Sequence, residues 1–181
     1  MSSVSATNYA RRIERDLLEV LSSPFEGVVV YLKSGSILSW VLKVTSQSGQ
    51  LAGCSFYFEL EFPTSYPRLP PSLRCLTELP HLCVVGRFGG TVCLEILNNP
   101  GTERYEGWSP AFSAYSVLSQ MQSFFDDEWL TFRGPQDIQR CIQQLRAFEV
   151  NDLIKMNLEE LAYRRVCYVV PYDVPLPVQV Q

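Results

Sequence analysis

The chain is short of the residues that most metal- and base-dependent chemistries require: among 181 residues there is one histidine, His81. Its six cysteines, at 54, 75, 83, 93, 141 and 167, include no Cys-x-x-Cys pair. A tetrahedral zinc site would have to be assembled from widely spaced thiols, so no metal is expected. No run approaches the roughly 18 apolar residues that suggest a bilayer-spanning helix. The first residues, with Arg11, Arg12 and Arg15 interleaved with acids, offer no secretory hydrophobic region. A cytoplasmic or nuclear setting with reduced thiols, and no membrane partner, is the expectation. Basic excess is missing too: a net charge of −4 argues against nucleic acid, whose binding needs a cationic surface to displace counterions. What is present, 46% hydrophobic and 19% charged residues, is the composition of an ordinary globular domain with room for a C-terminal extension.

Periodicity divides the chain. From Asn8, the residues Tyr9, Ile13, Leu17, Val20 and Leu21 fall on one helical face, and Pro24 ends the run. Gly27–Lys33, Leu38–Thr45 and Cys54–Phe62 read as strands separated by Gly and Ser turns. In the third, Phe56, Phe58, Leu60 and Phe62 alternate with Ser55, Tyr57, Glu59 and Glu61, which predicts one buried and one wet face. Short sequential strands imply an antiparallel meander. The segment from Pro63 to Pro71 holds four prolines and can be neither a helix nor a central strand. A short strand at Ser72–Cys75 and a long irregular segment from Thr77 to Thr91 follow. After Pro110, Ala114, Val117, Leu118, Met121, Phe124 and Phe125 mark an amphipathic helix that packs on the sheet. Pro135 opens another, carrying Ile138, Cys141, Ile142 and Leu145. Asn151 reads as the N-cap of a last helix, and the valine- and proline-rich tail from Val169 as extended. No internal repeat and no inter-domain linker is visible.

One thiol stands apart. Gly89-Gly90-Thr91-Val92-Cys93-Leu94-Glu95-Ile96-Leu97, followed by Gly107-Trp108-Ser109-Pro110-Ala111, sets Cys93 between a glycine turn and an apolar segment, ahead of a Trp-Ser-Pro helix entry. A thiol at an accessible turn can act as a nucleophile; one inside a core strand usually cannot.

Taken in order, Phe62-Pro63-x-x-Tyr66-Pro67-x-x-Pro70-Pro71, Val92-Cys93-Leu94-Glu95-Ile96-Leu97 and Trp108-Ser109-Pro110-Ala111 resemble the ubiquitin-conjugating enzyme family, from about Asn8 to Val150. The resemblance implies an α+β fold: a four-stranded antiparallel meander flanked by an N-terminal helix, a central helix and C-terminal helices. It implies a conjugating core over residues 8–150, with a C-terminal helix and extended tail, 151–181, on or beside it. It also implies that Cys93 receives ubiquitin or a ubiquitin-like protein from an activating enzyme as a thioester and passes it to a substrate lysine, with or without a RING or HECT ligase. No cofactor is expected on this chain, since ATP is used by the upstream activating enzyme. By the same resemblance, Arg11, Arg12 and Arg15 would meet the activating enzyme, and Pro67, Arg68, Pro110 and Ala111 would face a ligase.

Three departures stand out. The usual members carry His-Pro-Asn upstream of the cysteine; here the region reads Leu79-Pro80-His81-Leu82-Cys83, and no asparagine occurs between Gln50 and Asn98. That absence, with Gly89-Gly90, looks like the divergent Q-type branch. The cysteine and tryptophan are fifteen positions apart, longer than in common members, and Arg68 stands where many place an aromatic residue. Transfer passes through a tetrahedral oxyanion, and losing one donor to it typically costs about 2.7–4 kcal/mol. Candidates to replace the asparagine are backbone amides around Gly89 to Thr91, His81 (as oxyanion donor or loop support), and Asn98 or Asn99. Asp126 and Asp127 are candidates to orient an amine, or simply a solvated helix end. Two other functions compete: a catalytically inactive relative acting as a ubiquitin-binding or scaffold module, and an unrelated cysteine hydrolase, for which His81 is the sole possible base.

Overall fold

The computed structural model describes residues 3–32, 36–85, 90–99, 107–125, 130–132 and 134–156. Helix α1, Ser3–Ser22, precedes strands β1 (Val28–Leu32), β2 (Ser39–Thr45), β3 (Ser55–Glu61) and β4 (Ser72–Cys75). Two short strands follow, β5 (Val84–Val85) and β6 (Gly90–Val92), then helix α2, Ala114–Met121, and helix α3, Pro135–Met156. All neighbouring strands pair antiparallel in the order β1-β2-β3-β4-β6-β5. The expected four-stranded meander is therefore present and is widened by a two-strand ribbon built from the segment that reads as irregular.

Register explains the core. Val30 lies opposite Leu42, Leu42 opposite Phe58, and Leu60 opposite Leu73, so one face of the sheet is a continuous apolar surface. The helices close over that core with Ile13, Leu17 and Val20 of α1, Ala114, Val117, Leu118 and Met121 of α2, and Cys141 and Leu145 of α3. Just past α2, Phe125 stacks on Phe56 at 5.0 Å and Phe124 meets Phe58 edge-on at 5.8 Å. Such aromatic pairs add about 0.5–1.5 kcal/mol each beyond their area burial.

Three expectations change, the first being that the helix expected to carry Phe124 and Phe125 ends at Met121 and leaves both rings in the turns beyond it. The second face of β3 is not wet at its centre: Tyr57 and Glu59 are buried. Glu59 tolerates burial because Ser39 Oγ donates to Oε1 at 3.0 Å and the Arg74 guanidinium pairs with Oε2, which satisfies the carboxylate. And α3 runs through Asn151 without a break, so the helix expected to open there is its continuation. Asparagine favours caps but is tolerated inside a helix already propagating. The tail beyond Met156, Gly86, Gly89, Asp126 and Asp127 lie outside the described residues.

Candidate functional site

Cys93 follows β6 directly, and burial alternates along this stretch: Val92 and Leu94 are buried, Thr91 and Cys93 exposed. The apolar neighbours fasten the backbone to the core and turn the thiol outward. Its own amide is also fixed, donating to the Cys83 carbonyl at 2.8 Å across the β5–β6 ribbon. Cys83 is held in turn, because its N–H donates to Nδ1 of His81 at 3.0 Å.

His81 thus sits two hydrogen bonds behind Cys93. Its ring is buried and stacks on Phe124 at 3.9 Å and 15°. The Pro80 carbonyl accepts from Thr131 N at 3.0 Å, which ties the loop to the opposite wall. Nδ1 can accept only as a neutral imidazole, and burial lowers the His81 pKa below its ordinary 6.5, against a weaker opposing pull from the Phe124 carbonyl. Nε2 is buried and, among the described residues, has no partner within hydrogen-bond distance, so the Phe124 carbonyl acts on it only weakly. This arrangement is that of loop support. Of the two roles considered for His81, direct donation to an oxyanion fits poorly, since one ring nitrogen is engaged and the other is enclosed.

Of the backbone amides considered for the oxyanion, that of Gly89 lies outside the described residues, and those of Gly90 and Thr91 belong to a paired strand. Thr91 lies between Arg74 of β4 and Val85 of β5, so β6 is an interior strand whose peptide groups serve the ladders on both sides. Asn98 and Asn99, just beyond a single 3-10 turn at Glu95–Leu97, are exposed. The Asn98 carbonyl accepts from Trp108 N at 2.8 Å, pinching together the two ends of the inserted segment. Gly107 makes that neck possible: its φ is 92°, and a Cβ there would stand 2.7 Å from the Asn98 oxygen.

A buried carboxylate organises the other side. Both oxygens of Asp16 are used: Oδ1 accepts from Arg12 Nε at 2.8 Å, and Oδ2 accepts from the Tyr66 hydroxyl and from Ala114 N at 3.0 Å. One acid therefore joins α1, the proline turn and the start of α2, where a negative charge also suits the helix N-terminus. Burial first, and Asp16 second, raise the Tyr66 pKa and keep the phenol a donor. The Tyr66–Pro67 peptide is cis, and the Pro67 carbonyl accepts from Trp108 Nε1 at 2.6 Å. The proline turn and the Trp-Ser-Pro-Ala loop are in this way held side by side, bringing together Pro67, half-buried, with Arg68, Pro110 and Ala111, all exposed.

The three arginines separate. Arg11 and Arg15 are exposed, with Leu18 (64% exposed) one turn on along the same stripe of α1. Arg12 instead faces inward: besides Asp16, it donates to the carbonyls of Pro110 at 3.1 Å and Phe112 at 2.6 Å, and lies over the Tyr66 ring. It is a bolt between α1 and the loop entering α2 rather than a displayed charge. Asp16 was detectable in the sequence as an acid in the apolar stripe Ile13, Leu17, Val20; Leu18, lying off that stripe, carries no such signal. Among the described residues, no cluster of three His, Cys, Asp or Glu side chains is arranged to hold a metal ion.

The sequence profile of the ubiquitin-conjugating enzyme family matches residues 12–145. The chain is 33% identical over 119 residues to the human NEDD8-conjugating enzyme UBE2F, covering 63% of this chain and 62% of that protein, and so spans just under two thirds of that relative's length. It is 28% identical over 159 residues to ubiquitin-conjugating enzyme E2 15 of Schizosaccharomyces pombe, covering 81% and 93% respectively. Its fold resembles the solved human ubiquitin-conjugating enzyme E2 G1 at a TM-score of 0.55 and 27% identity, over 64% of this chain and 92% of that one. The profile match extends from α1 into α3 and takes in the sheet, Cys93 and the loops tied together around Asp16, and the chain belongs to the ubiquitin-conjugating enzyme family.

Proposed function

We propose that this chain is an active conjugating enzyme that carries ubiquitin, or a ubiquitin-like protein, on Cys93. The Cys93 thiolate attacks the thioester carbonyl on the activating enzyme; the tetrahedral intermediate collapses, expelling that enzyme's thiolate and leaving a new thioester on Cys93. A substrate lysine amine then attacks the same carbonyl, an amide forms, and the Cys93 thiolate leaves. The observation that carries this reading is that Cys93 is the one exposed thiol among the described residues, the others being half-buried or buried. It is displayed at the end of an interior strand whose backbone is fixed on both sides.

Arg11, Arg15 and Leu18 form the face of α1 that an acidic surface of the activating enzyme would meet. Pro67, Arg68, Pro110 and Ala111 form the ligase face. With His81 enclosed and the β6 amides in ladders, the exposed carboxamides of Asn98 and Asn99 are the candidates among the described residues to donate to the oxyanion. The test is incubation with activating enzyme and ATP, in parallel with ubiquitin and with NEDD8, resolved with and without reductant. A reducible adduct that Cys93→Ala abolishes is expected. Its absence with every carried protein tried would return the chain to the scaffold reading.

A further inference from the structure

The register of the β5–β6 ribbon has a chemical consequence for Cys93. Val84 pairs with Val92 and Val85 with Thr91, so the next pair outward is Cys83 opposite Cys93, and the Cys93 N–H to Cys83 carbonyl bond confirms that step. Directly opposed residues of an antiparallel pair point to the same face of the sheet. That face is open at Val85, which is 63% exposed, and at Thr91 and Cys93, both exposed, while Cys83 is half-buried at its inner margin against the core, where Val84 and Val92 also pack. Opposed residues of the hydrogen-bonded kind have Cα atoms about 5.5 Å apart. Disulfides span Cα separations of roughly 4.4–6.8 Å. The ordinary spacing of such a pair thus lies within disulfide reach, and the hydrogen bonds that hold these two backbones, Cys93 N–H to the Cys83 carbonyl and Cys83 N–H to His81, keep the two residues opposed.

The geometry points to Cys83 as the resolving thiol of a hydroperoxide-sensitive modification site in which Cys93 is the thiol first oxidised. The Cys93 thiolate attacks one oxygen of the peroxide; the O–O bond breaks, an alcohol or water leaves, and Cys93 becomes a sulfenic acid. The Cys83 thiol displaces that hydroxyl as water, and the S–S bond forms. The sulfur pair has lost two electrons to the peroxide, and a dithiol reductant returns them by exchange. Cross-strand bonds of this kind, exposed at a sheet edge, belong to the readily reduced class. The bond spares Cys93 from irreversible over-oxidation and, on the reading of Cys93 as the acceptor thiol, switches transfer off until reductant returns.

The intact chain, reduced, desalted and given a few equivalents of hydrogen peroxide, enough for the second oxidation that a sulfinic acid requires, is alkylated with iodoacetamide and digested without reductant. Trypsin cuts at Arg87, between the two cysteines, so the bond joins the peptide Cys75–Arg87 to the peptide Phe88–Arg104, and fragmentation assigns it to Cys83 rather than Cys75. Expected is that joined peptide in a chain still monomeric on a non-reducing gel, with Cys93 losing its alkylation and regaining it after dithiothreitol. In Cys83→Ser the link is lost and Cys93 proceeds to the sulfinic acid at the same dose. Cys93 reaching the sulfinic acid in the unaltered chain with no Cys83 link, or linking to another cysteine or another chain, overturns the proposal. The unaltered chain decides the matter if the variant does not fold. Because the map reads sulfur chemistry alone, its outcome is independent of whether the chain conjugates anything.

Discussion

Replacing Asp16 with alanine is the sharpest test of how the face beside Cys93 is assembled. The carboxylate is 1% exposed and accepts from three groups on three different segments. Without it, the Tyr66 hydroxyl and the Ala114 amide are buried donors with no acceptor, at about 1–3 kcal/mol each. Arg12 keeps its bonds to Pro110 and Phe112 but loses its counter-charge. Removing one partner of such a buried ionic network typically costs about 3–5 kcal/mol, a large share of a domain stability of roughly 5–15 kcal/mol. Urea melts followed by tryptophan fluorescence measure it, with Trp108 a buried reporter beside Tyr66. Tyr66→Phe removes the hydroxyl itself and should cost less. In the double variant the two losses should fall short of additivity by about 0.5–3 kcal/mol, because both delete one bond. An Asp16→Ala loss below about 1 kcal/mol, or strictly additive losses, would show that the carboxylate does not clamp these segments.

Four further outcomes are expected. Because burial lowers the His81 pKa, the unfolded chain binds the proton first as pH falls through the ordinary 6.5; stability should decline there and level off below the folded-state value, a slope that thermal melts will show in the parent and not in His81→Phe. Iodoacetamide in mildly alkaline buffer should modify Cys93 well before Cys75 and Cys141, whose pKa values burial pushes up to about 11 and about 12, so that mass mapping finds those two labelled only in denaturant. Arg11→Glu with Arg15→Glu should slow loading from the activating enzyme while changing stability by less than about 0.5 kcal/mol per site, whereas Arg12→Ala should lower stability by about 1.5–3 kcal/mol. Asn98→Ala and Asn99→Ala, assayed separately for discharge to free lysine, should show one carboxamide worth about 2.7–4 kcal/mol of barrier with the melting midpoint unchanged; two near-neutral results would remove both from the oxyanion role.

The longer elements were readable because each has a period and a stop: β1 to β4 appear within a residue of their predicted bounds, whereas α1, expected from Asn8, begins five residues earlier at Ser3, where small polar residues carry no apolar period. The ribbon that carries Cys93 was hidden for a physical reason, since two- and three-residue strands give no alternation to detect and exist only because β4 offers them an edge. Alternation also misjudged Tyr57 and Glu59. A pattern says which face is polar, not whether Ser39 and Arg74 will meet a carboxylate there. Arg12 and its neighbours Arg11 and Arg15 looked equivalent as charges; only the carbonyls of Pro110 and Phe112, some hundred positions away, tell them apart. The opposition of Cys83 and Cys93 is likewise a property of register, which no single strand's composition states.

The neck at Asn98 and Trp108 makes this chain a natural socket. A hairpin's worth of foreign sequence inserted between those positions would arrive and depart through the same carbonyl-to-amide latch, with Gly107 supplying the left-handed step that any other residue resists. Since loop closure grows costlier only slowly with length, segments of other lengths and sequences can be exchanged there by design, while the tryptophan behind them keeps its bond to Pro67.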